Sequence, residues 1–300
     1  MVGLGVLALI LPPYHANNLA RILLLAVFAT GYNLAFGYTG MLSLGHALFF
    51  AAGMYGAALP ISLWGISALP GLALGLLAGG AVAAAVGLLA LRTAGVSFMI
   101  VTLMFAQAGY LAVIYFNQTT GGDQGLVLSG AGRLLPGLDM TQDGPRLAVA
   151  LGLYALGLVV ALALVQSRFG RVMRAMRENE ERSRMLGYDP FRVKLAVLVI
   201  SGFYAGVAGA AYAVLFGYAG AGFAGVQYSI LPMLYSLIGG AGTVLGPLLG
   251  AAVMFYLIDI ASGLTTAYLM LVGVALILGV LFAPRGLLGW LRERGLPWLP

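Results

Sequence analysis

Charge is what this sequence has least of. Only 8% of its 300 residues are Asp, Glu, Lys or Arg, against 62% hydrophobic residues and a mean hydropathy of +1.02. So few charges leave too little polar surface to cover a folded chain in water, which excludes a soluble enzyme. Cysteine is absent, so neither disulfide nor thiolate chemistry is available, although that alone does not fix the compartment. Lysine occurs once, as Lys194, with no glycine-rich loop before it and no GxxxxGK[ST] motif. The chain therefore does not cradle a nucleotide phosphate itself. Paired carboxylates, HExxH and GxSxG are also missing, so no catalytic residue, metal ligand or resident cofactor is expected. Ion-driven carriers bury carboxylates or histidines in their helices, and here these reduce to Asp259 and His46. A single histidine after a glycine-rich turn is more often a cap or packing contact. The first basic residue, Arg21, follows the first apolar run instead of preceding it, so a cleaved secretory signal is not expected and the amino end reads as an anchor.

What is present is a series of apolar runs separated by breakers. They lie near Val2–Leu11, Leu19–Phe36, His46–Leu63, Leu69–Leu91, Gly95–Phe116, Leu147–Gln166, Leu195–Gly217, Val226–Gly240, Val244–Asp259 and Leu264–Phe282. In lipid only a helix satisfies its own backbone, so each run is read as helical. The reading is an all-α, polytopic integral membrane protein with about eight to ten transmembrane helices at roughly 20 residues per crossing. It forms a single membrane domain over residues 1–300. The first run and Val226–Gly240 are short enough to enter without crossing, and Gly37–His46 is glycine-rich enough to be an unwound stretch at membrane depth.

Charges are concentrated in one place. Between Arg168 and Lys194 stand eight basic and four acidic residues, half of all the charges in the chain. If all ten runs cross and this segment is cytoplasmic, twelve of the fifteen Arg and Lys residues lie inside. The positive-inside rule then puts both termini in the cytoplasm and makes residues 117–146 the one sizeable outer loop. The net charge of +6 is explained the same way and calls for no nucleic acid.

The segment Arg168–Leu186 spaces Phe169, Val172, Met173 and Met176 along one helical face. Gly187 suits a left-handed helix stop, and Asp189 with Pro190 suits the start of another helix. Such a helix either lies on anionic headgroups or docks on a protein. Glu178, Glu180 and Glu181 would repel anionic lipid, which favours a protein partner. The second distinctive stretch is GYTGMLSLG, Gly37–Gly45, with the hydroxyls of Tyr38, Thr39 and Ser43. Upstream, Thr30, Asn33 and Gly37 share a helical face; so do Ser229, Ser236 and Gly240, leading into GGAGTVLGP, Gly239–Pro247. These stripes read equally as the border of a substrate path or as ordinary interhelical hydrogen bonding. Gly202 with Gly206 and Gly75 with Gly79 form GxxxG pairs. Among 45 glycines such pairs arise by chance, so neither is assigned to a particular contact, though their number indicates tight packing.

The chain resembles the permease subunits of high-affinity branched-chain amino acid importers of the ABC type, the LivM-like branch. The matching elements are GYTGMLSLGHALFFAAGMYGA (Gly37–Ala57), SFMIVTLMFAQ (Ser97–Gln107), TGGDQGL (Thr120–Leu126), SRFGRVMRAMRENEERSRMLGYDPFRVKL (Ser167–Leu195) and GGAGTVLGPLLGA (Gly239–Ala251). They occur in family order over nearly the whole chain; the start before Pro12 is abbreviated. The resemblance implies a permease subunit for branched-chain or other small apolar amino acids. Relatives moving urea or short amides share much of the pattern, so those substrates remain an alternative, as does a carrier driven by an ion gradient. It further implies that two separate ATPase subunits consume the ATP, that a second, homologous permease pairs with this one, and that an extracytoplasmic binding protein delivers substrate. By position, Gly170, Arg174, Ala175, Glu178, Leu186 and Gly187 match the ATPase-coupling motif, within a coupling loop at about 167–194. Asp123 matches an outer-loop motif with a gate or docking role. The implied location is a bacterial or archaeal plasma membrane.

Overall fold

The computed structural model describes residues 13–135, 138–282 and 286–293. The predicted first run, Val2–Leu11, lies outside them. The order of helices is α1 (Pro13–Phe36), α2 (His46–Trp64), α3 (Ala68–Ala90), α4 (Val96–Tyr115), the single turn α5 (Asn117–Thr120), α6 (Asp143–Gln166), α7 (Arg168–Glu178), α8 (Glu180–Met185), α9 (Pro190–Phe216), α10 (Val226–Gly239), α11 (Gly246–Leu264), α12 (Tyr268–Phe282) and α13 (Gly286–Glu293). The protein is thus a polytopic, almost wholly helical membrane protein. Seven helices, α1, α2, α3, α4, α6, α9 and α11, are long and apolar enough to cross a bilayer by length and composition. The remaining two of the predicted runs are shorter: α10 has 14 residues and α12 has 15.

α1 and α9 form the centre. α9 packs on α3, α2 and α1, and α1 in turn packs on α6, α11 and α10. The contacts are close because glycines face one another. A Cβ at Gly79 would sit 2.5 Å from Gly206 Cα, one at Gly206 would sit 2.8 Å from Gly75 O, and one at Gly53 would sit 2.1 Å from Gly206 O. The two GxxxG pairs therefore meet each other, joined by Gly53 of α2. With no water to drive helices together in lipid, such backbone approach supplies the dispersion contacts that hold the bundle. By contrast α4 and α6 turn large apolar side chains outward, among them Ile100, Met104 and Leu111 on α4 and Leu156 and Val159 on α6. That is the outward face expected of helices bordering lipid or a second membrane subunit.

The bundle has two distinct ends. At one lies the charged segment α7–α8; at the other lie residues 117–146. The latter contain α5, the strand β1 (Leu126–Val127), a 3-10 turn (Ala131–Arg133), β2 (Leu134–Leu135) and β3 (Leu138–Asp139), with β1 pairing antiparallel to β4 (Tyr218–Ala219) after α9 and β2 pairing with β3. Two arginines pin this end. Arg133 donates to Val214 O and Leu215 O, carbonyls of the last turn of α9, and to Met140 O. A cation on those carbonyls opposes the negative end of the helix dipole. Burial and the neighbouring Arg146 hold the Arg133 guanidinium below its ordinary pKa. Arg146 donates to Met140 O, Thr141 O and Asn17 Oδ1 and pairs with Asp143 at 3.1 Å.

Candidate functional site

The charged segment is built from strong local signals. Ser167 caps α7 by accepting from Gly170 N at 3.2 Å. A Cβ on Gly170 would lie 2.3 Å from Val165 O, so glycine is what lets α7 fold back across the end of α6. Arg174 faces the same joint, donating to Val165 O at 3.0 Å. The continuous helix expected over Arg168–Leu186 is instead two helices. Asn179 breaks it, because its Oδ1 accepts from Arg182 N at 2.8 Å and caps α8. The apolar face behaves differently from the sequence reading: Met173 and Met176 are buried, so the stripe packs on the bundle and is not left for a partner. What projects is the turn that follows. Met185 and Leu186 are 84% and 71% exposed. Gly187 carries φ +89° with open space where a Cβ would stand. Asp189 then accepts from Phe191 N and Arg192 N, and Pro190 opens α9. Ala175 is half-buried and Glu178 exposed.

Sequence reasoning missed Arg177, which ties this segment to the membrane core. Its Nη1 donates to Gly37 O. Its stem passes Gly40, where a Cβ would be 3.3 Å from Arg177 Cγ, and its head lies beside Gly242, where a Cβ would be 3.0 Å from Nη1. The two glycine-rich breaks also clasp each other. Asn33 Nδ2 donates to Thr243 O at 2.7 Å, and Gly242 N donates to Asn33 Oδ1 at 2.9 Å. One arginine therefore touches both breaks at the point where they meet. A cavity of about 480 Å³ adjoins it, lined by Thr39, Met41, Thr93, Arg177, Glu178 and Lys194 among others. Lys194 pairs across the segment with Glu180 at 2.6 Å.

From that junction the chain 41–45 runs without helix into the bundle. His46, the first residue of α2, bonds Ser201 Oγ through Nε2 at 2.7 Å. Ser201 stands about 16 Å along α9 from its Pro190 end at 1.5 Å per residue, so α2 starts well inside the bundle. Its free N-terminal donors find partners there: Leu44 N donates to Thr102 Oγ1, Gly45 N to Ser43 Oγ, and Ala47 N to Ser229 Oγ at 2.9 Å. Ser229 sits in the first turn of α10, so α10 begins at a similar depth from the opposite side. The amino ends of α2 and of the shorter α10 thus meet inside the bundle, irregular backbone being tolerated here because protein surrounds it.

The remaining path candidates are also buried, and three of them donate to backbone carbonyls. Thr30 donates to Ala26 O, Thr39 to Leu34 O, and Ser236 to Pro232 O at 2.8 Å. Tyr38 is buried beside them. Asp123 stands apart, exposed in the turn between α5 and β1. Among the described residues no cluster of His, Cys, Asp or Glu could hold a metal ion.

Residues 14–281 match the family described as "Branched-chain amino acid transport system / permease component". The High-affinity branched-chain amino acid transport system permease protein LivM of Salmonella typhimurium is 27% identical over 291 residues, covering 89% of this chain and 68% of the relative. Its Escherichia coli counterpart is 26% identical over the same shares. A Probable branched-chain amino acid transport permease protein LivM of Methanocaldococcus jannaschii is 30% identical over 141 residues, 42% of this chain and 41% of the relative. No solved structure matches the chain.

Proposed function

The chain belongs to the family of branched-chain amino acid transport permease components, and from that premise we propose that it is one membrane subunit of an ABC importer for branched-chain or other small apolar amino acids. Two separate ATPase subunits supply the energy, so ATP is consumed by partners and this chain carries no cofactor. A second homologous permease completes the pathway and an extracytoplasmic binding protein delivers substrate. The membrane is the plasma membrane of a bacterium or archaeon, with both termini and the loop at about 167–194 in the cytoplasm and the loop at about 117–146 outside.

The observation that carries this reading is the projecting turn Met185–Leu186–Gly187 on a segment that Arg177 joins to both glycine-rich breaks. An exposed apolar knob on a charged, well-capped frame suits a protein groove. A push on the knob reaches Gly37 and Gly242 through one guanidinium. Those breaks end α1 and precede α11, the helices that would rock in alternating access. Gly170 and Arg174 act inside the frame, fixing α7 to α6, while Leu186 and Gly187 meet the ATPase. Asp123 faces the binding protein.

Gly187→Val tests the docking role. The positive φ is strained for a β-branched residue by about 1–3 kcal/mol, while the open space around it leaves packing undisturbed. In proteoliposomes holding the assembled importer, the variant is expected to hydrolyse ATP without matching leucine uptake. Full uptake would remove the docking assignment.

A further inference from the structure

A cavity of about 280 Å³ lies between α1, α9, α10 and α11, walled by Tyr212, Phe223, Tyr228, Tyr235 and Phe255, with Leu25 of α1 on one side and Asp259 of α11 on another. Its size is just under the roughly 300 Å³ at which the range of ligand pockets begins, and its walls are aromatic. Two donors stand outside this lining, one and two helical turns before Leu25 on α1. Asn18 Nδ2 and Arg21 Nε are both buried without a hydrogen-bond partner among the described residues. Tyr14, Asn18, Arg21 and Leu25 follow one another at four, three and four residues, which is one helical face. That face meets Asp259 through Tyr14, whose hydroxyl donates to the two carboxylate oxygens at 3.2 and 3.0 Å. It meets the cavity through Leu25.

The charge of Arg21 meets a ring face but no anion among the described residues. Its guanidinium carbon lies 5.0 Å from the Phe216 ring centroid, and Phe216 packs 4.7 Å from Tyr212 of the cavity wall. No ion pair to Arg21 occurs among the described residues. A partly buried guanidinium held against a ring face keeps its charge without an anion, and arginines within membrane spans ordinarily mark a ligand or path. The chemistry left open is a carboxylate acceptor near Arg21 and Asn18, a cation donor at Asp259 and an apolar group against the rings.

Resting on the permease reading above, we propose that this cavity is an α-amino acid binding site within the chain. Arg21 and Asn18 take the α-carboxylate, Asp259 takes the α-ammonium, and the aromatic walls take a branched apolar side chain. The cavity lies toward the end of the bundle that carries residues 117–146, so it receives substrate before the clasped breaks near Arg177 open.

The test is equilibrium binding to the purified full chain of L-leucine, of leucinamide, which lacks the carboxylate, and of isocaproate, which lacks the ammonium. Wild type is expected to bind L-leucine about tenfold or more tightly than either analogue, since each loses a charge-assisted contact. This comparison needs no variant. Arg21→Gln is then expected to weaken isocaproate and L-leucine while sparing leucinamide, and Asp259→Asn to do the reverse for the analogues. Equal affinities for the three ligands, or unchanged affinities in both variants, overturn the proposal. So does an anionic lipid that copurifies with wild type, is lost in Arg21→Gln and is not displaced by L-leucine. Uptake by the assembled importer separates the two levels of inference. If wild type imports leucine and both variants do so with unchanged KM and kcat, the cavity assignment fails and the permease reading stands. If wild type imports no branched-chain amino acid, the permease reading fails, and the binding comparison still decides the cavity.

Discussion

Arg177→Ala is the most direct perturbation of the link between the charged segment and the membrane core. It removes the donor to Gly37 O and the head that lies beside Gly242. It leaves the caps of α7 and α8 at Ser167 and Asn179 and the projecting Met185 and Leu186 untouched. A hydrogen bond from a charged donor contributes about 1.5–3 kcal/mol. Arg177 as a whole is exposed, so solvent competes and about 1–2 kcal/mol is the reasonable share. That corresponds to roughly a 5- to 30-fold loss in the coupling equilibrium. The assay is leucine taken up per ATP hydrolysed in proteoliposomes of the assembled importer. Hydrolysis is expected to persist while the ratio falls by that factor. Arg177→Lys keeps the charge but not the fork, and should fall in between. Arg171, exposed on the same helix, supplies the control: Arg171→Ala should leave the ratio unchanged. An unaltered ratio in Arg177→Ala would refute the argument that this side chain transmits motion to the breaks.

Other expectations follow from the same geometry. Gly53→Ala places a Cβ 2.1 Å from Gly206 O, well inside contact distance, so α2 and α9 must part by about 1 Å at a cost of roughly 1–3 kcal/mol. Gly152→Ala on α6 meets nothing within 4 Å and should gain about 0.5–1 kcal/mol in helix propensity; thermal unfolding in detergent should rank the two on opposite sides of wild type. Asn33→Ala leaves Gly242 N without its acceptor and Thr243 O without its donor, a loss of about 1–3 kcal/mol that should appear as faster amide exchange at residues 240–243. Arg133→Gln frees the last carbonyls of α9 and should raise proteolysis within 126–141 while leaving the charged end intact.

How much of this was legible beforehand depends on how local each signal is. The apolar runs were plain because lipid forces each to satisfy its own backbone, and α2, α3 and α4 match their predicted runs to within one residue at each end, while α1 and α9 begin about a turn or more before theirs, where polar residues precede the apolar run. The glycine stop at Gly187 and the Asp189–Pro190 start were likewise readable, since each is set by neighbouring residues alone. The burial of Met173 and Met176 was not: the spacing identifies a face but not what covers it, and here the cover is the bundle itself. Nor could the chain order show that Gly37 would meet Gly242, about two hundred positions away, with Arg177 between them. The GxxxG pairs were set aside as chance for the same reason. Their significance lies in facing one another across α3 and α9, a property of the pair of helices and not of either one. Asn33 shows the limit most clearly. Its place on a polar stripe suited a substrate path and a structural clasp equally, and in this conformation its two polar atoms are engaged by Gly242 and Thr243. A residue that holds two breaks together in one state still borders a path if the breaks separate in another. In the alternating-access cycle proposed above, the clasp and the path would be successive roles of one side chain, and the cycle would have to open the contact that Arg177 braces.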